Sequence, residues 1–156
     1  MNDDRRKVLK GTTGMAVMGL AVSAGLFKPG SAWAQAWNKA AFETKNVADT
    51  VKAMGGAGAA ESKEIVITSP DIAENGAVVP FTISSRLPKT ESIALLVEKN
   101  PSALAASFDI PAGTEPGVTT RVKMGQTSNV TALVKADGKF YYTTKEVKVT
   151  LGGCGG

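Results

Sequence analysis

The chain has 156 residues and a formal net charge of +4, with 43% apolar and 21% charged residues, a composition typical of one globular domain. Residues 1–34 carry +3 of that charge, and the remaining 13 basic and 12 acidic residues nearly cancel, which argues against a nucleic-acid-binding surface. Because the sequence has no histidine and a single cysteine, it provides neither a zinc site of Cys and His ligands nor an intramolecular disulfide, and no metal or cofactor is predicted.

Residues 1–34 have the three parts of a secretory signal peptide. A basic run, Arg5-Arg6-Lys7-Val8-Leu9-Lys10, precedes a short apolar stretch at 15–27, and the small-x-small sequence Ala32-Trp33-Ala34 follows. The apolar stretch is too short to span a bilayer of about 30 Å. No membrane anchor is therefore predicted, and the leader is excluded from the fold.

The adjacent arginines favour the twin-arginine export route and hence a periplasmic protein. Two positions depart from the usual motif, because Asp4 stands where Ser or Thr is usual and Val8 stands where Phe is usual. The alternative is an ordinary Sec signal that begins with two arginines. Cleavage of the 156-residue chain after Ala34 leaves 122 residues that begin at Gln35.

Residues 35–60 are predicted to form a helical segment followed by a glycine-rich connector. Asn38 and Asn46 are the expected N-caps of two short helices within 37–54. Apolar residues at helical spacing mark the face that these helices bury: Phe42, Val47, Val51 and Met54. The sequence Gly55-Gly56-Ala57-Gly58 ends the second helix and is interpreted as a flexible connector.

Residues 61–151 are predicted to form a β-sandwich domain, because from Glu64 onward apolar and polar residues alternate. The predicted strands are 64–69, 77–84, 92–98, 105–110, 117–124, 129–136 and 139–151. About seven short strands separated by turn sequences are typical of an antiparallel sandwich. The fold class is therefore all-β with short N-terminal helices. The Cys…Trp…Cys signature of immunoglobulin domains is absent.

Two of the predicted strands have irregular patterns. Pro80 lies inside the second run, which predicts an edge strand or a bulge. In the last strand Phe140 and Tyr142 have one parity, whereas the apolar residues from Val147 onward have the other. A bulge near Lys145-Glu146 is predicted to reconcile the two, since one extra residue switches the buried face.

The chain ends in Gly152-Gly153-Cys154-Gly155-Gly156, here called the arm. Glycine gives the widest backbone freedom and the smallest cross-section, so the arm is predicted to enter pockets that exclude other side chains. From the Cα of Leu151 to that of Cys154 the chain extends roughly 10 Å. The arm contains no cation to stabilise a thiolate, so partner proteins are expected to activate it. These features predict a covalent carrier with Cys154 as its attachment site.

Three classes of function remain open at this stage. A lone cysteine in an exported protein favours a thiol that is used over an incidental residue. The first class is a non-catalytic carrier. The second is an enzyme, a thiol peroxidase or sulfurtransferase, and the missing histidine and unpinned thiol of Cys154 count against it. The third is a structural or adhesive sandwich that dimerises through a Cys154–Cys154 disulfide.

Four segments of the chain resemble the SoxY family, the sulfur-carrier subunit of the thiosulfate-oxidising (Sox) system. They are the segment Pro70–Pro80 (PDIAENGAVVP), Lys99-Asn100-Pro101, Thr120–Met124 (TRVKM) and the terminal Val147–Gly156 (VKVTLGGCGG). The likeness extends over essentially all of the mature chain, and the terminal motif is highly specific. A twin-arginine leader is also usual in this family.

The resemblance implies an immunoglobulin-like sandwich that pairs with a SoxZ subunit. It also implies that Cys154 receives thiosulfate oxidatively, as a cysteine S-thiosulfonate, through a c-type cytochrome complex. A dimanganese hydrolase, a sulfate thiohydrolase, then removes the terminal sulfone as sulfate, and in some systems a sulfane dehydrogenase oxidises what remains. In this scheme the chain is not an enzyme, and the residues around Cys154 form a swinging arm: Gly152, Gly153, Gly155 and Gly156.

The segment Pro70–Pro80 has two interpretations. It is either a loop that contacts a partner, since loops on rigid scaffolds often carry function, or a simple β-hairpin. In the hairpin interpretation Asn75-Gly76 is the turn, and Ile72 and Val78 lie in the core.

A few other side chains have functional and structural interpretations. Arg121 and Lys123 either guide acidic surfaces of partners or form a solvated strand face, and the second interpretation is favoured. The aromatic residues Trp37, Tyr141 and Tyr142 are interpreted as core or interface residues. None of these is required by the carrier hypothesis.

Overall fold

The computed structural model describes residues 38–150, which form two helices and nine β-strands. The helices are α1 (Lys39–Glu43) and α2 (Val47–Ala53). The strands are β1 (Ala60–Glu61), β2 (Ile65–Thr68), β3 (Ile72–Ala73), β4 (Val79–Ser85), β5 (Thr90–Val97), β6 (Leu104–Asp109), β7 (Gly117–Val122), β8 (Ser128–Ala136) and β9 (Lys139–Val149). The predicted leader, Trp37 and the arm lie outside the described residues. No helix within 38–150 is long and apolar enough to cross a membrane.

Both helices begin at the predicted asparagine caps. The side-chain oxygen of Asn38 accepts the N–H of Ala41 at 3.1 Å, and that of Asn46 accepts the N–H of Asp49 at 2.8 Å. These bonds satisfy amide groups that the first turn of a helix leaves free. Helices this short are marginal alone, so packing of their apolar face on the sheet stabilises them. The predicted stripe provides that face: Phe42, Val47, Val51 and Met54.

Helix α2 ends in an ordered turn and not in the flexible connector predicted above. Gly55 donates to the carbonyl of Lys52 at 2.9 Å, and Gly56 donates to that of Val51 at 2.8 Å, the two bonds of a Schellman cap. Gly55 has a φ of 84°, which favours glycine. At Gly56 an added Cβ would lie 3.0 Å from Val51 Cγ1 and 3.2 Å from the ring of Phe140. The turn is therefore packed against β9.

The strands form two sheets. The six-stranded sheet has the order β1-β9-β8-β5-β6, with β3 also paired to β9, and the three-stranded sheet has the order β2-β4-β7. All seven predicted strands are present, and they pair antiparallel with one another. The predicted all-β sandwich is therefore confirmed. Strands β1 and β3 are additional, and both run parallel to β9. With two residues each, they are too short for alternation to mark them.

The six-stranded sheet buries both of its faces. The first core cluster lies against the three-stranded sheet and includes Ile65, Val79, Phe81, Ile83, Ile93, Leu95, Val97, Val130, Ala132, Val134 and Val147. The second lies beneath the helices and is formed by Ala41, Ala94, Leu96, Leu104 and Leu133. Because each fully buried aliphatic side chain contributes about 1.5–3 kcal/mol relative to exposure, these two layers supply most of the hydrophobic stabilisation.

Strand β9 has no bulge at Lys145-Glu146, contrary to the prediction. Its pairing with β8 continues through nine residue pairs without a register shift. Phe140 and Tyr142 pack on the cluster beneath the helices, whereas Tyr141 and Val147 pack on the core between the sheets. Both parities are buried because both faces of the sheet are covered, so the strand needs no change of face.

Strand β4 is the central strand of its sheet and pairs with β2 and β7 without a register shift, so the prediction of an edge strand or a bulge is wrong. Pro80 is nevertheless placed where only one neighbour exists. Strand β2 pairs with the stretch Thr82–Ser85, so Pro80 has only β7 beside it, through its pairing with Arg121. The missing N–H of proline therefore removes no bond to β2.

Candidate functional site

The predicted attachment site lies beyond the described part of the chain. Cys154 falls outside residues 38–150, as do the glycines around it: Gly152, Gly153, Gly155 and Gly156. The last described residue, Thr150, precedes Cys154 by four positions. The structure describes the residues that precede the arm and the contacts that hold them.

The last two residues of β9 and the residue after them, 148–150, are called the arm root, and they extend past the start of β8. Strand β8 starts at Ser128, whose partner on β9 is Val147. The N–H groups of the three arm-root residues all donate to acceptors outside β8. These bonds are Lys148 N to Asp71 O (3.0 Å), Val149 N to Thr127 Oγ1 (3.0 Å) and Thr150 N to Ala73 O (3.1 Å). We call the three acceptor residues, together with Ile72 between two of them, the clasp: Asp71–Ala73 and Thr127.

An ion pair ties the start of the clasp to β9. Lys145 Nζ lies 2.9 Å from Asp71 Oδ1 and donates to the carbonyl oxygen of Ser69 at 2.8 Å. The hydrogen bond from Lys145, together with its positive charge, holds the pKa of the Asp71 carboxyl below its ordinary value. The Asp71 side chain is 88% exposed, so solvent screens the pair and its contribution to stability is small.

The Asn75-Gly76 turn brings the backbone against the arm root. Asn75 Oδ1 accepts the N–H of Ala77 at 2.9 Å, and the carbonyl of Gly76 accepts the N–H of Met124 at 2.7 Å. A Cβ added at Gly76 would overlap the carbonyl oxygen of Met124 and lie 2.7 Å from Val149 Cγ1. Side-chain carbons do not approach other atoms so closely, so the site requires glycine for close approach.

The turn does not close a hairpin with Ile72 and Val78 in the core. Its flanking strands pair elsewhere, β3 with β9 and β4 with β2 and β7. Ile72 is 56% exposed and Val78 is 52% exposed, while their neighbours Ala73 and Val79 are buried. The parallel pairing of β3 with β9 determines which of the neighbouring side chains is buried. The alternation of apolar and polar residues in the sequence does not reveal that pairing. The core interpretation of Ile72 and Val78 is wrong, and contact with a partner stays a proposal.

Three of the segments that carry the family resemblance meet beside the arm root. Asn100 Nδ2 donates to the carbonyl of Lys123 at 2.8 Å, which joins 99–101 to 120–124. The bond between Met124 and Gly76 joins 120–124 to the segment 70–80. The sequence analysis treated these segments as separate, and only the fold brings them to one end of the sandwich. The sequence analysis did not identify Thr127, a turn residue without a distinctive local pattern.

The remaining candidate residues have ordinary structural positions. Arg121 is exposed on β7, and Lys123 is exposed just beyond its end, as expected for a solvated face. Tyr141 is half-buried on the core between the sheets, and Tyr142 is half-buried on the cluster beneath the helices. Within 38–150, no group of three or more acidic, His or Cys side chains is placed to hold a metal ion.

Comparison with known proteins identifies the family. The family model of the sulfur oxidation protein SoxY matches residues 51–154, about two thirds of the chain, in a range that ends at Cys154. The chain belongs to the SoxY family. The solved structure of the sulfur carrier protein SoxY from Chlorobium limicola f thiosulfatophilum is 38% identical, with a TM-score of 0.59. The match covers 67% of this chain and 96% of that one. The family resemblance and its β-sandwich are thereby confirmed.

A more distant structural similarity concerns the fold alone. The superoxide reductase (neelaredoxin) from Ignicoccus hospitalis is 17% identical, with a TM-score of 0.50, over 55% of this chain and 80% of that chain. At this identity it indicates a shared sandwich topology and carries no functional argument. No curated protein sequence matches the chain.

Proposed function

We propose that this protein is a periplasmic carrier that holds thiosulfate-derived intermediates covalently on Cys154 and presents them to the enzymes of thiosulfate oxidation. Its membership of the SoxY family supplies the sulfur-carrier function. The observation that supports Cys154 as the attachment site is its position. The only thiol of the chain follows, after four residues, a strand end that is bonded to the clasp. A reactive atom on a short tether with a fixed origin suits a carrier.

Loading of the carrier is an oxidation. The Cys154 sulfur and the outer sulfur of thiosulfate form an S–S bond, the thiol loses its proton, and two electrons pass to the partner c-type cytochrome complex. Within the sequence, the arm has no cation and the chain has no histidine. The partner therefore supplies both the electron acceptor and the groups that activate the thiol.

Release of sulfate is a hydrolysis. Water attacks the terminal sulfone, the bond between the two thiosulfate-derived sulfur atoms breaks, sulfate leaves, and the remaining sulfur stays on Cys154 as a persulfide. A dimanganese sulfate thiohydrolase is the proposed partner for this step. In systems that contain a sulfane dehydrogenase, that enzyme oxidises the persulfide. The carrier itself contributes attachment and presentation and no catalysis, so the proposal makes it a non-enzymatic subunit.

The site of action follows from the leader. The run Arg5-Arg6-Lys7-Val8-Leu9-Lys10 supports export by the twin-arginine pathway, with cleavage after Ala34. A periplasmic carrier operates where a lone thiol is exposed to oxidants.

Intact mass of the native protein tests the attachment directly. Protein isolated from cells grown on thiosulfate is expected to carry extra mass equal to one or more sulfur species, all of which a reducing thiol removes. Peptide mapping is expected to place that mass on the C-terminal peptide containing Cys154. A native protein that is entirely unmodified, or present mainly as a Cys154–Cys154 dimer, would contradict the carrier function and favour a structural one.

The body is predicted to form a stable heterodimer with a SoxZ-like β-sandwich subunit. Strand β6 ends the six-stranded sheet, and β2 and β7 end the three-stranded sheet, so each has one neighbour among the strands described. Open strand edges and a near-neutral body favour stable pairing with a second sandwich. Light scattering of the co-expressed pair after size exclusion is expected to give one copy of each subunit. Recovery of this chain as a monomer at physiological concentration would argue against the pairing.

A further inference from the structure

The clasp lies at the margin of the core between the sheets. Two of its three acceptors are main-chain carbonyls in or beside β3, a strand of two residues, and the third is the hydroxyl of Thr127 on an exposed turn. Ala73 is buried in that core, whereas Ile72, between the two carbonyls, is 56% exposed. Short elements with mostly exposed side chains open locally at a lower free energy than the core strands. Release of the arm root uncovers one buried alanine and is therefore expected to need less free energy than unfolding of the sandwich.

The state of the clasp sets how far the thiol reaches. With the clasp closed, the chain from Thr150 to Cys154 spans four residues and reaches at most roughly 13–14 Å. With the clasp open, the tether starts at Val147, the last residue paired with β8, and spans seven residues or roughly 23–25 Å. A longer tether lowers the effective concentration of the Cys154 thiol at a partner's active site. That concentration falls as about the −3/2 power of the tether length or more steeply.

Gly76 is the second element that fixes the arm root. It is pinned to Met124 by a 2.7 Å backbone hydrogen bond, and it leaves no room for a Cβ between Met124 and Val149. Gly76 therefore sets how closely the side chain of Val149 approaches the backbone at Met124. Any larger residue at this position must displace the backbone of Met124, whose carbonyl oxygen it would overlap, and also the side chain of Val149 in the arm root.

We propose that Thr127 and Gly76 are positioning residues for the carrier reaction. Together with β3 they hold 148–150 against the sandwich and thereby set the origin and the reach of Cys154. This inference rests on the proposed function, since reach matters only if partners act on the tethered thiol. The two residues touch neither substrate nor the reacting sulfur, and their effect is transmitted through the arm root.

Substitution of Thr127 gives the cleanest test. Thr127→Val keeps the shape of the side chain but removes the hydroxyl that accepts the N–H of Val149, and Thr127→Ser retains it as the matched control. Amide hydrogen exchange of the full chain is expected to accelerate roughly two- to tenfold at Val149 in Thr127→Val, as for the loss of one hydrogen bond. Exchange in β5 and β8 is expected to stay unchanged. Thr127→Ser is expected to behave as the wild type.

The kinetic measurement uses the holocomplex with the partner cytochrome and thiosulfate. If partners dock on the body and then receive the arm, Thr127→Val lowers kcat for loading, by about twofold where the clasp is mostly open, leaves KM for the carrier unchanged, and Thr127→Ser restores kcat. Gly76→Ala is also expected to lower kcat and leave KM for the carrier unchanged, and its fall in kcat is expected to be larger than that of Thr127→Val. Alkylation of Cys154 by a small reagent is expected to proceed at the wild-type rate in all variants, because the thiol itself is unaltered.

The outcomes separate this inference from the proposed function. Unchanged exchange at 148–150 in Thr127→Val would overturn the clasp itself, even if Gly76→Ala failed to fold. Faster exchange with unchanged kcat would overturn the positioning role while leaving Cys154 as the attachment site. Loading that is insensitive to loss of Cys154 would overturn the proposed function instead, whatever the exchange data show.

Discussion

Cys154→Ser is expected to abolish thiosulfate-dependent electron transfer in the reconstituted system, down to the level without carrier. The substitution changes one atom, but a serine hydroxyl cannot form the S–S bond that loading requires. No other cysteine exists in the 156 residues to replace it. The measurement is the thiosulfate-dependent reduction of cytochrome with the partner subunit and hydrolase present.

The same variant is expected to keep its fold and its partners. Cys154 lies four positions beyond the last described residue, and the carrier hypothesis requires its thiol to be accessible to partners, so we expect the change to leave the packing of residues 38–150 intact. The melting temperature and the heterodimer are expected to match those of the wild type. Cys154→Ser keeps nearly the shape of the side chain, so its loss of activity would show that sulfur is required, and Cys154→Ala is expected to lose activity equally. Retained activity in either variant would refute the carrier function.

The features predicted best from the sequence are those that depend on residues close together in the chain. The helix starts at Asn38 and Asn46 follow from side chains that bond to amides three positions ahead, so local sequence suffices to locate them. The seven longer strands follow from alternation. The lone cysteine within a glycine run is equally local, so its assignment as the attachment site rests on the sequence alone and stays a prediction.

The errors have a common physical origin, which is contact between segments distant in sequence. The predicted bulge in β9 assumed one buried face, whereas α1 and α2 cover the second face. Ile72 was predicted to lie in the core, but the parallel pairing of β3 with β9 buries Ala73 there and leaves Ile72 exposed. The role of Thr127 depends on a bond to Val149, 22 positions away. The alternation and the composition of the sequence do not indicate such contacts.

Gly153→Val is expected to impair loading of Cys154 far more than it impairs stability. Valine adds a branched side chain beside the sulfur and removes the positive-φ conformations available to glycine. Since the arm lies beyond the last strand, the free energy of unfolding is expected to change by no more than about 0.5 kcal/mol. In a narrow partner channel, however, the same carbons hold the sulfur away from its target. Misplacement by ~1 Å lowers a rate by up to about 10²-fold.

The measurement compares the melting temperature with the rate of thiosulfate attachment by the partner cytochrome. Gly117→Val is the matched control, because it adds the same carbons at the start of β7, where an added Cβ meets nothing closer than 3.9 Å. Gly117→Val is expected to load at the wild-type rate. If Gly153→Val also loads at that rate, the arm glycines are a simple linker and entry into a narrow channel is wrong. If its melting temperature falls by many degrees, the arm packs against the body at Gly153, and the hypothesis of a tether that begins at Thr150 is wrong.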